Sequence, residues 1–478
     1  MIHHPEQVED CMSLAKRIIP IIAVFIIIGI SRGAFPESAV YLEGLYATST
    51  AFDYIKNGPQ HLFDGKPDCW VSMPGTAPDE GVMLYFEAPT PVGRVEIVLP
   101  ASSDYAKISR VRVYANGTDL GAFNMSDQIR INTAVSSLYL RIDDVEGLDK
   151  KEVTSDIQGM MKGIKRFNSS KSAAISELKL FDSKNQPMQI IPPKLFAGSI
   201  KPSSTLAPEE AYHAGYLFDS RRDSGWVEGN KKSGTGESIA FKFSQSATIA
   251  KVKIWNGLLI SSVHYSANER VKSFTFDAKD GGKVYSIPDS MKPQTVTLEK
   301  PLTGNDFVFT IKGIYPGTTY KDTVISEILF NDGTQWFNLY SGEVERRKKN
   351  ILDKIRGTLL EGAVDHYLFE SYEDGPSYKT KSLILRSDSS FVIYLEDSDE
   401  DSQSSARKTR ILDGFWNIIS VTGNKVTVNI MGRNYNLSEQ YMAYQGDKKS
   451  SAVSIFSDTL TITKGSIKGA KFFGSIGL

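Results

Sequence analysis

The chain reads as all-β, with two tandem β-sandwiches followed by a small antiparallel β-meander or barrel. Three observations predict this. Short runs that alternate apolar or β-branched residues with polar ones recur from Val40 to Thr463, bounded by Gly, Pro, Asn and Asp. Helical spacing is confined to one stretch beyond residue 341. The third is an internal echo: Leu217-Phe218-Asp219-Ser220-Arg221-Arg222-Asp223-Ser224-Gly225-Trp226-Val227 repeats, edited, the earlier Leu62-Phe63-Asp64-Gly65-Lys66-Pro67-Asp68-Cys69-Trp70-Val71.

A second echo fixes the size of the unit. Ile175-Ser176-Glu177-Leu178 recurs as Ile325-Ser326-Glu327-Ile328, so each copy runs from a turn aspartate to a closing glutamate. A period of roughly 150 residues is far beyond the 20 to 50 of solenoid repeats, and it implies duplication of a whole globular module.

At 478 residues the chain has room for about three domains. Its 55 basic residues against 56 acidic ones give a net charge of −1, which excludes a polyelectrolyte argument for nucleic acid. Ile18 to Ile30 form a short apolar run after Lys16-Arg17, shorter than the about 20 residues a bilayer core requires. Residues 1–34 are therefore expected to be a cleaved signal peptide, with the mature protein exported to the periplasm, the cell surface or the medium. Of the two cysteines only Cys69 would remain, so no internal disulfide is expected.

Residues 36–190 are assigned to the first module. Val82-Met83-Leu84-Tyr85-Phe86, Arg94 to Leu99, Val111 to Tyr114, Leu138 to Ile142 and Ile175 to Phe181 are its strands, and Asn116-Gly117 is a hairpin turn. The polar stretch from Glu146 to Asn168 is expected to be a long loop or short helix. Pro192-Pro193 to Pro202 reads as a stiffened connection, placing the second module at 198–340. Its strands are Ser238 to Phe243, Ile249 to Trp255, Ser273 to Phe276, Thr295 to Leu298, Asp306 to Ile311 and Ile325 to Phe330. Residues 341–368, with Ile351, Leu352, Ile355, Leu359 and Leu360 at helical spacing, are expected to form a linker helix. The remaining 369–478 give five more strands and suggest an antiparallel meander or lipocalin-like barrel, an analogy silent on function. Glu396 to Asp401 reads there as a solvated hairpin loop.

The Leu-Phe-Asp-Gly…Trp opening and the Ile-Ser-Glu-Ile ending resemble the discoidin, or coagulation-factor C-type, domain and related galactose-binding-like carbohydrate-binding modules. The second copy is closer. Its Phe218-Asp219…Trp226-Val227-Glu228-Gly229, Gly236-Glu237-Ser238-Ile239, Asn256-Gly257, Asn268-Glu269-Arg270-Val271 and Tyr315-Pro316-Gly317-Thr318 resemble the bacterial subgroup called NADase-type glycan-binding. The resemblance implies two discoidin-like jelly-roll sandwiches of about eight strands each.

Hard oxygen ligands from a tight turn and a distant carboxylate suit calcium. By resemblance a structural calcium is expected on Asp219, Asp223, Ser224 and Glu327, and a weaker counterpart on Asp64, Asp68 and Glu177, where Cys69 replaces a hydroxyl. The competing reading is that each Asp caps its own turn. Trp70 and Trp226, at strand starts, are expected in the core. Ligand contacts in such a sandwich lie in loops at one end, here Asn256 to Arg270 and Tyr315 to Asp322. His264, Tyr265, Asn268, Arg270, Tyr315 and Tyr320 supply rings to stack on sugar and polar groups to fork onto hydroxyls; alternatively, Asn268, Arg270 and the tyrosines brace the loops. The first module lacks this set and reads as a spacer. His61, His213, His264 and His366 show no metal-ligand spacing, and no nucleophile elbow or phosphate loop is present.

The sequence thus predicts a non-catalytic exported protein whose partner is a glycan or glycoconjugate. One rival is an adhesion scaffold that contacts an envelope or host surface protein. The other is an enzyme with a site around Trp416, Arg433 and Tyr435.

Overall fold

The computed structural model describes residues 39–74, 78–146, 149–153, 164–169, 171–278, 282–374, 377–399, 408–436, 453–471 and 473–477. The expected signal segment lies outside them. No helix among the described residues is long and apolar enough to cross a membrane.

The sequence echo is a structural repeat. In each copy a short 3₁₀ helix (Pro59–Phe63, Ala214–Phe218) ends on the turn aspartate, and the next residue is left-handed, Gly65 at φ 66° and Ser220 at φ 59°. Glycine adopts that conformation freely, whereas serine in the second copy is held there by its surroundings. Trp70 then pairs with Ile175 and Trp226 with Ile325. Both indoles are fully buried, and each donates to a main-chain oxygen at 3.0 Å, of Ser49 and Ser204 respectively.

The sheets match in the same way. Val40–Ala47 runs antiparallel to Gly81–Val98 and parallel to Ile190–Ile191; Lys194–Pro202 runs antiparallel to Ser238–Asn256 and parallel to Trp336–Tyr340. Separate apolar cores fill the two sandwiches, one around Leu84, Val113 and Leu138, the other around Phe241, Phe307 and Phe330. The expected connection at 192–202 is largely absent. Pairing in the first module ends at Ile191 and pairing in the second starts at Lys194, leaving only Pro192-Pro193 between them.

The C-terminal strands form an antiparallel meander from Tyr367–Asp374 to Ser475–Gly477. It curls on itself, for Lys381 Nζ donates to Ser475 O at 3.0 Å and lies over the Phe473 ring. Its interior is filled by Leu383, Phe391, Trp416, Ile430 and Leu460. Two expectations are corrected here. Glu146 to Asn168 is neither loop nor helix throughout: Asp149–Val153 and Ile164–Ser169 form an antiparallel pair, and the latter joins the C-terminal sheet through Tyr367↔Ser169 and Phe369↔Phe167. The first module thus lends two strands to the third. Glu396 to Asp399 continue the strand Ser390–Asp399, with Glu396 buried and accepting from Thr380 Oγ1 at 3.0 Å, while the rest of the expected loop, Glu400 and Asp401, lies outside the described residues.

The expected linker helix is Glu343–Ile355, and it is packed against the modules. Lys348 is 2% exposed and donates to Thr50 O at 2.6 Å. The chain from Ala39 onward forms one compact unit.

Candidate functional site

Where the strands Ser238–Asn256 and Gln294–Tyr315 end, residues 256–270 and 315–322 build a braced tip. Ser261 caps the helix Ser262–Ala267, accepting from His264 N. Arg270 is its anchor: Nε and Nη2 reach the Asp289 carboxylate at 3.0 and 2.6 Å, while Nη1 donates to Asn268 O and Pro316 O. Hydrogen bonding to Arg270 holds the Asp289 carboxyl below its usual range. Tyr265 donates its hydroxyl to the same carboxylate at 2.6 Å, and burial raises its pKa. Asn268 closes the helix on His264 O, and Tyr315 donates to Ile287 O. The second loop is stitched to the first through Thr318 N→Ser266 O and Tyr320 N→Ala267 O. Gly317 allows this approach, since a Cβ there would sit 2.4 Å from Tyr320 O and 2.5 Å from Ala267 O.

Of the six residues singled out for ligand contact, Tyr265, Asn268 and Arg270 are therefore buried braces and Tyr315 is a half-buried one. His264 is half-buried, hydrogen-bonded to Ser261 Oγ at 2.8 Å, and its pKa is lowered by burial and then by the Arg433 charge. Tyr320 faces solvent at 54% exposure. Beside its loop Val263, which sequence reasoning passed over, is 67% exposed. Asp322, raised by burial, follows on the same loop. Asp289 was also missed, because nothing local ties it to Arg270.

The corner turn of the second module has a different task. Arg222 leaves it for the first module, where Glu43 accepts from Arg222 Nη2 at 2.8 Å and from Lys253 Nζ at 2.6 Å. Asp223 is held between Arg221 and Arg433, and Arg433 also grips Asp413 at 2.7 Å. Those two guanidiniums outweigh the burial of Asp223 and push its pKa down. Asp219 and Glu327 share a hydrogen bond, and Ser224 Oγ donates to Asp219 at 3.1 Å. Burial, largest among the causes, raises Asp219 to about 7 and Glu327 well above its ordinary value.

The second corner thus brings Asp219, Ser224 and Glu327 together and turns Asp223 away. Two touching buried carboxyls and a hydroxyl fit a hard cation in donor type; Asp223, matched by two guanidiniums, does not. In the first copy the metal-capable group among the described residues is His61, Asp64 and Asp68, with His61 Nδ1 already 2.9 Å from Asp64 and Nε2 2.8 Å from Ile55 O. Glu177, raised by burial and then by Asp64, stands outside that group.

Trp416, Arg433 and Tyr435 do not converge. Trp416 pairs with Ile430 and points into the filled barrel, donating to Arg386 O; Arg433 pairs with Asp413 and lies on the opposite face with Tyr435.

Residues 195–331 match the family model of the NAD glycohydrolase translocation F5/8 type C domain. No curated protein matches the chain. Among solved structures, a family 32 carbohydrate-binding module of NanJ from Clostridium perfringens, in complex with galactose, is similar at 14% identity and TM-score 0.22, over 28% of this chain and 92% of that one. The CBM32-1 and CBM32-2 domains of Clostridium perfringens ZmpB align at 10% identity and TM-score 0.22, covering 60% of this chain and 92% of theirs. The mycobacterial arabinofuranosyltransferase AftD aligns at 8% identity and TM-score 0.26 over 83% of this chain, which spans 38% of that enzyme's length.

Proposed function

We propose that this chain is a non-catalytic, exported carbohydrate-binding protein that holds a glycan at the tip of its second module. The observation that carries the reading is a rigid, hydrogen-bonded tip that leaves one aromatic ring, Tyr320, 54% exposed. A ring carried on a main chain that is held by hydrogen bonds offers its face to the C–H side of a sugar, and the next two residues, Lys321 and Asp322, supply a donor and an acceptor for hydroxyls. The F5/8 type C match over 195–331 supports a binding module. Calcium belongs to this proposal at Asp219, Ser224 and Glu327, as a structural ion away from the sugar.

The experiment is a glycan array probed with the full chain, including galactose- and N-acetylgalactosamine-terminated glycans, beside Tyr320→Ala. The isolated module is the wrong reagent, because excising it strips Lys253, Arg222 and Asp223 of their buried partners. Selective binding that drops at least tenfold in the variant is expected. A blank array from folded protein shifts the reading to an envelope or host surface protein as partner, which the exposed Val263 on the helix bonded to the Tyr320 loop would also suit.

A further inference from the structure

The outside of the barrel has two regions of opposite character. Toward the modules, Tyr367, Ile384, Val392, Tyr394, Ile411 and Tyr435 are buried together, with Arg141 of the first module 4.6 Å from the Tyr394 ring centroid. Past them the strands Lys408–Thr422, Lys425–Asn436, Ser454–Thr463 and Ser466–Gly469 continue as an antiparallel sheet. Register and burial fix which side chains share its outer face. Val426, Val428, Leu460, Ile462 and Ile467 are buried inside, so the residues between them point out. One outward row is Ser420, Thr427, Thr461 and Lys468, each opposite the next. The row beside it holds Lys425, Thr463 and Ser466, and Lys464 stands in the turn that follows Thr463. All three lysines are exposed.

The face carries one sign of charge. Over residues 417–431 and 457–469 the single carboxylate is Asp458, which is 3% exposed and opposite Ile430 on the inner side. Elsewhere exposed lysines stand against carboxylates, Lys107 at Glu146, Lys179 at Glu96 and Lys283 at Glu299. Here they stand among hydroxyls.

These groups narrow the partner. Lysines without matching carboxylates attract an anion. Serine and threonine hydroxyls donate and accept, as sugar hydroxyls do. The face has no arginine fork for phosphate and no aromatic ring on which a base would stack. Its free edge is also a poor template for an added strand. Pairing with Ser390–Asp399 stops at Phe415, and a register shift between Ile418 and Ser420 bends the edge beyond it. What remains is an open plane roughly 15 Å on each side, which suits a polymer lying across it.

We propose that this face is a docking surface for an acidic polysaccharide, whose carboxylates meet Lys425, Lys464 and Lys468 and whose hydroxyls meet Thr427 and Thr461. It lies on the C-terminal barrel, outside the 195–331 match, and does not depend on the tip of the second module.

The test uses residues 35–478, which contain the compact unit. Biolayer interferometry reads binding to immobilised polygalacturonate, alginate, polyphosphate and neutral dextran at about 0.15 M salt, where exposed charges are largely screened beyond about 8 Å. One variant combines Lys425→Glu with Lys468→Glu. The other combines Thr427→Val with Thr461→Val, since valine keeps the branched shape that suits a strand. Thermal melting checks that both fold. The expected result is binding to the two uronates and not to dextran, weakened roughly tenfold or more in the lysine variant and roughly threefold in the threonine variant. The lysine variant should keep whatever glycan-array binding the parent shows, so the tip is judged separately. No binding to either uronate, or binding indifferent to both variants, overturns the proposal. Polyphosphate bound as tightly as the uronates, with the threonine variant unchanged, also overturns it, because the face would then act by charge alone.

Discussion

At the scale of single residues, the same motif serves two ends. Asp64 and Gly65 cap an exposed turn, whereas Asp219 and Ser220 open a turn whose next three residues bolt three parts of the chain together. The carboxyl pair inside that turn sets a pH dependence. Asp219 has a folded-state pKa of about 7, above its ordinary 3.8, so the folded chain holds a proton that the unfolded chain releases between those limits. Relative to Asp219→Asn, stability is unchanged below about pH 4, falls as the pH rises through the window, and is lowest above pH 7. The variant should therefore gain up to about 4 kcal/mol at pH 8 and little at pH 4 in denaturant melts. Millimolar calcium should raise the melting temperature of the parent chain at pH 8 and not that of the variant; if it raises neither, a shared proton satisfies the pair and calcium does not. Individual residues were unevenly legible. The two tryptophans announced themselves by repetition, but the inward turn of Arg270 depended on Asp289, nineteen positions away and reached only through the fold.

At the scale of elements, strands were legible wherever alternation was clean and missed where charge hid it. Lys150, Lys151 and Glu152 give their strand the look of a loop, and charged sequences are how sheet edges are commonly protected. The neighbouring Ile164–Ser169 finds its partner in Tyr367–Asp374, a pairing no local window contains. Phe167→Pro should test it. Removing one ladder donor costs about 1–3 kcal/mol where the facing carbonyl is left unpaired. Hydrogen exchange should show loss of protection in 367–374 while Gly81–Val98 stays protected; unchanged protection in 367–374 would mean that the two strands do not pair in solution.

At the scale of the whole molecule, the sequence showed three parts but not their union. Buried ion pairs join them: Arg141 with Asp79, whose other oxygen accepts from Ser382; Arg386 with Glu80; Arg433 with Asp223. Breaking such a pair from one side leaves an uncompensated buried charge, at about 3–5 kcal/mol. Arg433→Met should accordingly lower the melting temperature of the second module and the barrel together, in one transition, and Arg433→Met with Asp223→Leu should recover part of the loss. Separate transitions for the modules and the barrel would contradict a single cooperative unit. The lent strands also impose an order in time. During synthesis, residues 149–169 leave the ribosome some two hundred residues before their partner strand exists. Until then the nascent first module carries an unpaired sheet edge, the kind of surface on which chaperones act, and the last steps of folding must wait for nearly the whole chain to be made.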